Sequence, residues 1–158
     1  MKRCYDLKEQ EKHPTYKGCS VCEEWHTYSN FKKWFEDPEN GYREGHEIDK
    51  DILVKGNKIY SPEFCCLVPA RINTLVCKSR KGILGVYATK RGTFMANMAR
   101  EGRHRYIGIF ATKEDAFNAY KDAKETYIKE VAMEYFSRGE ITKKVYQTLM
   151  NYEVEYDD

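Results

Sequence analysis

The second half of the chain contains three short stretches of β character, joined by glycine turns, and then a longer stretch with helical periodicity. The three stretches and the two turns between them are Gly85–Lys90, Arg91-Gly92, Thr93–Ala99, Arg100–Arg103 and Arg105–Phe110. Short β segments joined by glycine-containing turns predict antiparallel hairpins. Phe94, Ala96 and Met98 alternate with their neighbours along the middle stretch, so their face can be buried while the opposite face meets solvent or a ligand.

The stretch that follows predicts a long helix. Thr112 is a good N-cap residue, and Glu114 and Asp115 place acidic charge in the first turn. Apolar residues then recur with a 3.6-residue rhythm at Ala116, Ala119, Tyr120, Ala123, Tyr127 and Val131. A helix of roughly twenty residues should therefore run along the sheet. The spacing within Thr142–Tyr152 predicts a last helix. Together these elements predict the α+β class, with a three-stranded antiparallel sheet packed on one helix and a C-terminal helix.

The length and composition are those of a folded protein. The chain has 158 residues, of which 41% are hydrophobic, 33% charged and 14% aromatic. This length accommodates two small modules, and the aromatic share argues against disorder. No stretch approaches the ~20 apolar residues of a membrane span, and Met1–Asp6 leads into charge rather than into an apolar signal core. We therefore expect a cytoplasmic protein without a membrane partner.

The net charge of +2 conceals a strongly basic segment. Between Lys78 and Ala111 one residue, Glu101, is acidic, whereas eight are basic: Lys78, Arg80, Lys81, Lys90, Arg91, Arg100, Arg103 and Arg105. A segment of this charge predicts a polyanionic partner. The alternative is a set of solvated hairpin edges, where lysine and arginine commonly prevent aggregation between sheets.

The first half of the chain predicts smaller elements. Residues 1–15 are polar without a sustained period, which predicts a frayed arm. Aromatic residues at helical spacing in Ser29–Asp37 predict a short amphipathic helix. Beyond it, the pattern predicts a looped or hairpin-like β segment at Ile48–Tyr60, a short strand at Phe64–Val68 and a helix over Pro69–Val76 with its proline at the first helical position.

These elements carry a series of polar and turn-forming residues: His46, Asp49, Lys50, Asn57, Tyr60, Pro62, Cys65 and Asn73. The series resembles the HNH endonucleases of phages and mobile elements, in which an aspartate and a basic residue on the first strand precede a tyrosine-proline turn, a cysteine and a helix asparagine. The resemblance covers about residues 16–77 and implies a ββα module. It implies that Asp49 is the metal-binding acid, that Asn73 lies near the metal, and that Mg²⁺ or Mn²⁺ is the cofactor.

Lys50 stands where this family usually has its general-base histidine. A protonated lysine, with a reference pKa near ~10.4, cannot accept a proton at neutral pH unless burial lowers that pKa strongly. His46 is the alternative base, although a strand would direct it to the face opposite Asp49. The predicted catalytic set is therefore His46, Asp49, Lys50 and Asn73. In the purely structural alternative, Asp49 and Asp51 form a strand end and Asn73 is an ordinary polar residue of the helix.

The six cysteines of the chain allow either a zinc site or buried thiols. Cys19 and Cys22 have the spacing of one half of a tetrahedral zinc knuckle. The other half would come from Cys65 or Cys66, together with Cys77. Buried free thiols are the alternative, since cysteine is among the most buried residue types.

Glycine, aromatic and alanine residues recur through the three predicted strands and the long helix, in Gly85–Tyr87, Gly92–Ala96, Tyr106–Phe117 and Ala119-Tyr120. This pattern resembles the Apetala-two, or ethylene-response-factor, DNA-binding domain over about residues 82–132. The resemblance implies that the sheet enters the major groove of double-stranded DNA. The contacts it implies are Tyr87, Lys90, Arg91, Thr93, Met95, Asn97, Arg103 and Arg105. The family's tryptophan and several of its base-reading arginines are absent from this sequence.

The two resemblances divide the chain into an arm, two modules and a tail. The boundaries are 1–15 for the arm, 16–77 for the HNH-like module, 78–82 for the linker, 83–135 for the DNA-binding domain, and 136–158 for the C-terminal helix and acidic tail. They imply a homing-endonuclease-like protein that nicks or cuts DNA with a divalent metal. The alternative is a catalytically inactive binding protein, such as a phage-encoded inhibitor or regulator whose partner is a host protein or ribonucleoprotein complex. A small structural accessory domain is the third alternative.

Overall fold

The computed structural model describes residues 2–76 and 85–156 and confirms the α+β class. The helices are α1 (Lys2–Tyr5), α2 (Leu7–Lys12), α3 (Tyr28–Glu36), α4 (Ala70–Leu75), α5 (Lys113–Ser137) and α6 (Lys143–Met150). The strands are β1 (Ser20–Val21), β2 (His46–Asp49), β3 (Ile59–Tyr60), β4 (Cys66–Pro69), β5 (Val86–Ala88), β6 (Phe94–Arg100) and β7 (Arg103–Phe110). The predicted linker, residues 78–82, lies outside the described residues. None of the helices within the described ranges has the length and apolar character to cross a membrane.

The second half forms the predicted three-stranded antiparallel sheet, in which β6 lies between β5 and β7. Ala96 and Met98 of β6 are buried against the long helix, as their alternation predicted. One irregularity interrupts the pairing of β6 with β7: Ala96 pairs with Gly108, whereas the next residue, Asn97, pairs with Tyr106. β7 therefore contains one extra residue, Ile107, which is a β-bulge.

Helix α5 covers the inner face of this sheet. Its N-cap is Thr112, as predicted, and the Thr112 hydroxyl accepts a hydrogen bond from the amide of Asp115. The helix has 25 residues, which exceeds the predicted length because Tyr135 continues the buried stripe beyond Val131. Helix α6, capped by Thr142, packs against α5 through Val145 and Leu149, which are both fully buried.

The first half contains the predicted ββα succession, but its strands pair differently from the simplest hairpin. β2 pairs antiparallel with β4, and α4 begins directly after β4. β3, which we expected in a hairpin-like or looped segment after Ile48, pairs in parallel with β1. The chain turns sharply at Asp49–Ile52, where two backbone amides bind the Asp49 side chain, so β3 is carried away from β2.

The expectation of a frayed N-terminal arm was wrong. Asp6 caps α2 by accepting hydrogen bonds from the amides of Lys8 and Glu9. Cys4 of α1 is buried, and the Tyr5 hydroxyl accepts a hydrogen bond from the amide of Val21 at 2.9 Å. The arm is ordered because it packs against β1, a contact that no local periodicity of residues 1–15 reveals.

The two halves share one hydrophobic core. Ile52, Cys66, Val68 and Ile72 of the first half belong to the same cluster of buried residues as the sheet and helices α5 and α6. Polar contacts reinforce this packing, since Arg71 donates a hydrogen bond to the Tyr127 hydroxyl at 3.3 Å. The first half therefore supports the sheet from the helix side and leaves the other face of the sheet open.

Candidate functional site

Asp49, the predicted metal-binding acid, stabilises a turn. It stands at the end of β2, and its Oδ1 atom accepts hydrogen bonds from the amides of Asp51 and Ile52, both at 2.7 Å. Burial raises the pKa of the Asp49 carboxyl, and the two amide hydrogen bonds oppose that shift. These contacts agree with the interpretation of Asp49 as a residue that ends a strand and shapes the following turn.

Lys50, which occupies the general-base position, is engaged in a local cross-link. Its side chain is buried, with a relative exposure of 7% for the residue. The ammonium group donates to Asp51 Oδ2 at 2.6 Å and to the Asn57 carbonyl at 2.8 Å. Asn57 in turn donates from its side-chain amide to the carbonyls of Lys50 and Ile59. Lys50 and Asn57 thus close the loop between β2 and β3.

The structure separates His46 from Asp49. Three residues along a strand span roughly 10 Å, and an odd separation places the side chains on opposite faces. Burial lowers the pKa of His46, the nearby Arg43 also lowers it, and the Gly41 backbone opposes the shift. His46 Nδ1 is buried and has no hydrogen-bond partner among the described residues. Glu140, which follows α5, acts in the opposite direction to burial and raises the pKa of His46.

Asn73, the predicted helix residue near a metal, contacts a different carboxylate. Its side-chain amide donates to Glu47 Oε2 at 2.6 Å. Both residues line a cleft of about 390 Å³ together with Arg3, Tyr16, Ile48 and Tyr60. Arg3 donates to the Tyr16 hydroxyl at 3.1 Å, so the N-terminal arm forms one wall of the cleft. Sequence reasoning missed Glu47 and Arg3 because their roles depend on how the arm and α4 pack.

None of the described cysteines forms a disulfide. Cys19, Cys65 and Cys66 are buried, and Cys22 is half-buried. Burial raises the pKa of Cys65 to about 12 and raises that of Cys66 as well, which favours the protonated thiols. Within residues 2–76 and 85–156, no three histidine, cysteine or acidic side chains converge on a metal position. Cys77 lies outside the described residues, and the zinc site stays a prediction.

The face of the sheet opposite α5, which we call the outward face, is formed by three rows of paired residues. The rows are Tyr87–Met95–Ile109, then Asn97–Tyr106, then Ala99–His104. Paired residues in antiparallel strands project to the same face. Tyr87, Tyr106 and Ile109 are 50%, 63% and 56% exposed, so this face is open to solvent.

The β-bulge decides which residues of β7 reach the outward face. Simple alternation from Ile109 would place Arg105 and Arg103 beside it. The extra residue shifts the alternation, so Arg105 pairs with the buried Met98 on the helix side. Arg103 pairs with Arg100, whose guanidinium contacts Glu130 at 2.9 Å on α5. Both Arg103 and Arg105 are exposed, and they border the outward face instead of lying on it.

The remaining predicted contacts lie on the outward face or at its end. Tyr87, Met95 and Asn97 belong to its rows. Lys90 and Arg91 are exposed in the β5–β6 turn. Thr93 is half-buried, and its hydroxyl lies 2.7 Å from that of Thr89. The sequence analysis missed three residues of this face, Tyr106, His104 and Ile109. The alternation of the strand could have indicated Ile109, whereas Tyr106 and His104 reach this face because of the bulge.

Comparisons with known proteins give no relative: no protein-family model matches the sequence, and no curated protein or solved structure matches it significantly.

Proposed function

We propose that this protein binds nucleic acid through its three-stranded sheet and that its ββα half serves as a structural support without cleavage activity. The observation that carries the proposal is the open outward face, with exposed basic residues near both ends of the sheet. Among the described residues, Lys90, Arg91, Arg103 and Arg105 have no acidic partner. Exposed cations without ion-pair partners are available to phosphate groups.

The contacts of the ββα half support the part of the proposal that concerns cleavage. Asp49 binds two backbone amides, and the Lys50 ammonium already contacts Asp51 and Asn57. A general base must reach the proton that it accepts, and Lys50 is held within its own loop. A binding protein of this kind would act as a regulator or inhibitor, and a host protein or ribonucleoprotein complex is then a partner by the same proposal.

Salt-dependent binding tests the proposal. We expect labelled oligonucleotides to bind with an affinity that falls steeply between low and physiological salt, measured by fluorescence anisotropy. Lys90→Ala and Arg91→Ala should each reduce the slope of log affinity against log salt by about 0.7 for a single strand or about 0.9 for a duplex, because each removes one phosphate contact. Lys33→Ala, at an exposed position on α3, is the matched control. An affinity that does not change with salt, or equal effects of all three variants, would contradict the proposal.

The second candidate is a metal-dependent HNH-type DNA endonuclease. The succession β2, β4, α4 favours it, because this order places Asp49 and Asn73 on the strand and helix that the resemblance implies. Supercoiled plasmid incubated with Mg²⁺ or Mn²⁺, with and without a chelator, distinguishes the two functions. Chelator-sensitive nicking that is lost in folded Asp49→Ala and Asn73→Ala variants would establish the endonuclease. Intact plasmid together with salt-dependent binding supports the first proposal.

A further inference from the structure

The centre of the outward face carries rings and apolar side chains instead of charges. Its first row, Tyr87–Met95–Ile109, contains no charged residue. The next row adds Tyr106, the most exposed aromatic residue of the sheet. A sheet that reads a duplex through the major groove presents hydrogen-bonding side chains, above all arginine, to the base edges. Here the β-bulge turns Arg103 and Arg105 away from that position.

Positive charge lies instead at the two ends of the face. Lys90 and Arg91 occupy the β5–β6 turn, and Arg103 follows the β6–β7 turn at the opposite end of β6. The seven residues of β6 separate the two ends by roughly 23 Å. Glu101, in the β6–β7 turn, is the one acidic residue between Gly85 and Ala111, and Arg103 and Arg105 outnumber it at that end. An apolar, aromatic centre between two cationic ends complements a ligand that has both aromatic faces and a chain of phosphates.

We propose that the outward face binds single-stranded nucleic acid, with bases stacked on Tyr87 and Tyr106 and phosphates held by Lys90, Arg91 and Arg103. A duplex hides the faces of its bases, whereas a single strand exposes them to aromatic side chains. Tyr87 and Tyr106 lie on the two strands that flank β6, which are about 10 Å apart, and they are offset by two residues along β6, so each ring can take a different nucleotide. This inference rests on the proposed function and specifies the ligand of the same surface.

The experiment compares three labelled oligonucleotides of one sequence: single-stranded DNA, single-stranded RNA and the DNA duplex. Affinities are measured by fluorescence anisotropy at one low salt concentration. The proteins compared are the full chain and its variants Tyr87→Ala, Tyr106→Ala, Tyr87→Phe, Lys90→Ala and Arg91→Ala. Tyr28→Ala is the matched control, because Tyr28 is 72% exposed on α3, outside the sheet. Circular dichroism verifies that each variant is folded. We expect folding to be retained because these tyrosine side chains are exposed and contribute little to the core.

We expect both single strands, or one of them, to bind more tightly than the duplex. Each alanine variant on the sheet should lose about tenfold in single-strand affinity, whereas Tyr87→Phe and Tyr28→Ala should retain it, because stacking needs the ring and not the hydroxyl. Preference for DNA or for RNA identifies the source of the strand, and either preference supports the inference.

Two outcomes would overturn the inference, and only one of them would also overturn the proposed function. If the duplex binds at least as tightly and only the Lys90 and Arg91 variants weaken binding, the sheet binds nucleic acid without base stacking, and the proposed function survives. If none of the oligonucleotides binds at low salt, the inference and the proposed function both fail. The exposed tyrosines would then belong to an interface with a protein.

Discussion

Replacement of Gly85 by alanine should destabilise the sheet far more than the same change at Gly92. Gly85 has φ +72° and Gly92 has φ +75°. An alanine at either position would therefore have the same unfavourable backbone conformation. That strain costs about 1–2 kcal/mol in the left-handed region. At Gly92 nothing lies within 4 Å of the added atom, whereas at Gly85 it would overlap the Asn97 carbonyl oxygen and the Tyr120 ring.

The overlap at Gly85 adds a second cost. The Gly85 carbonyl accepts a hydrogen bond from the Asn97 amide at 2.8 Å, so the backbone cannot move apart without weakening the start of the sheet. The Tyr120 ring is buried and cannot turn into open space. Overpacking of this kind costs about 1–3 kcal/mol. We therefore expect Gly85→Ala to lose about 2–5 kcal/mol, and Gly92→Ala to lose about 1–2 kcal/mol.

Urea unfolding followed by circular dichroism measures both losses, and the difference between the variants isolates the overlap, because the change in chain entropy of the unfolded state is the same for both. Unchanged m-values would confirm that the native state, and not the extent of unfolding, has been altered. Equal losses of unfolding free energy at the two glycines would refute the reasoning. They would mean that Tyr120 and strand β6 move to accommodate the added Cβ atom without an energetic cost.

Two further predictions concern the first half of the chain. Burial raises the pKa of Asp49 above its ordinary value of 3.8, so the folded state favours the protonated carboxyl. The stability of the wild type relative to Asp49→Asn should therefore decline as the pH rises from 3.8 through the raised pKa. Urea unfolding of both proteins across that range checks this, and a difference that does not vary with pH would contradict it. Ile72→Ala removes a fully buried side chain from the shared core. We expect the free energy of unfolding to fall by about 2–5 kcal/mol, with a single cooperative transition. Two separate transitions would show that the halves unfold independently.

Much of the sheet and its helix could be predicted from the sequence because the signals are local. Glycine turns, the alternation of Phe94, Ala96 and Met98, and the N-cap Thr112 each act within a few residues. The structure places β5, β6, β7 and α5 where these signals indicated them. Turn residues also indicated a β segment, a short strand and a helix in this order, but Pro69 is the last residue of β4 and the N-cap of α4, one position before the first helical residue, which is the position that we predicted for it.

The candidate site was less predictable, because its side chains act through partners distant in the sequence. Asn73 binds Glu47, 26 positions away, and Arg3 reaches Tyr16 at the wall of the cleft. The resemblance indicated Asp49 and Lys50 as catalytic candidates, but hydrogen bonds to neighbouring amides and to Asn57 engage them. A motif names residue types at a spacing and does not state which atoms will satisfy their hydrogen bonds.

The sequence by itself determined the secondary structure of the second half, the positive charge of its turns and the burial of one strand face, because propensity, periodicity and charge are properties of short segments. Only the tertiary structure decided which side chains reach the outward face. The extra residue at Ile107 is defined by the pairing of β7 with β6, and it exchanges Arg105 for Tyr106 on the open side of the sheet. A shift of one residue reverses every later side chain of a strand, so this surface depends on the register between strands.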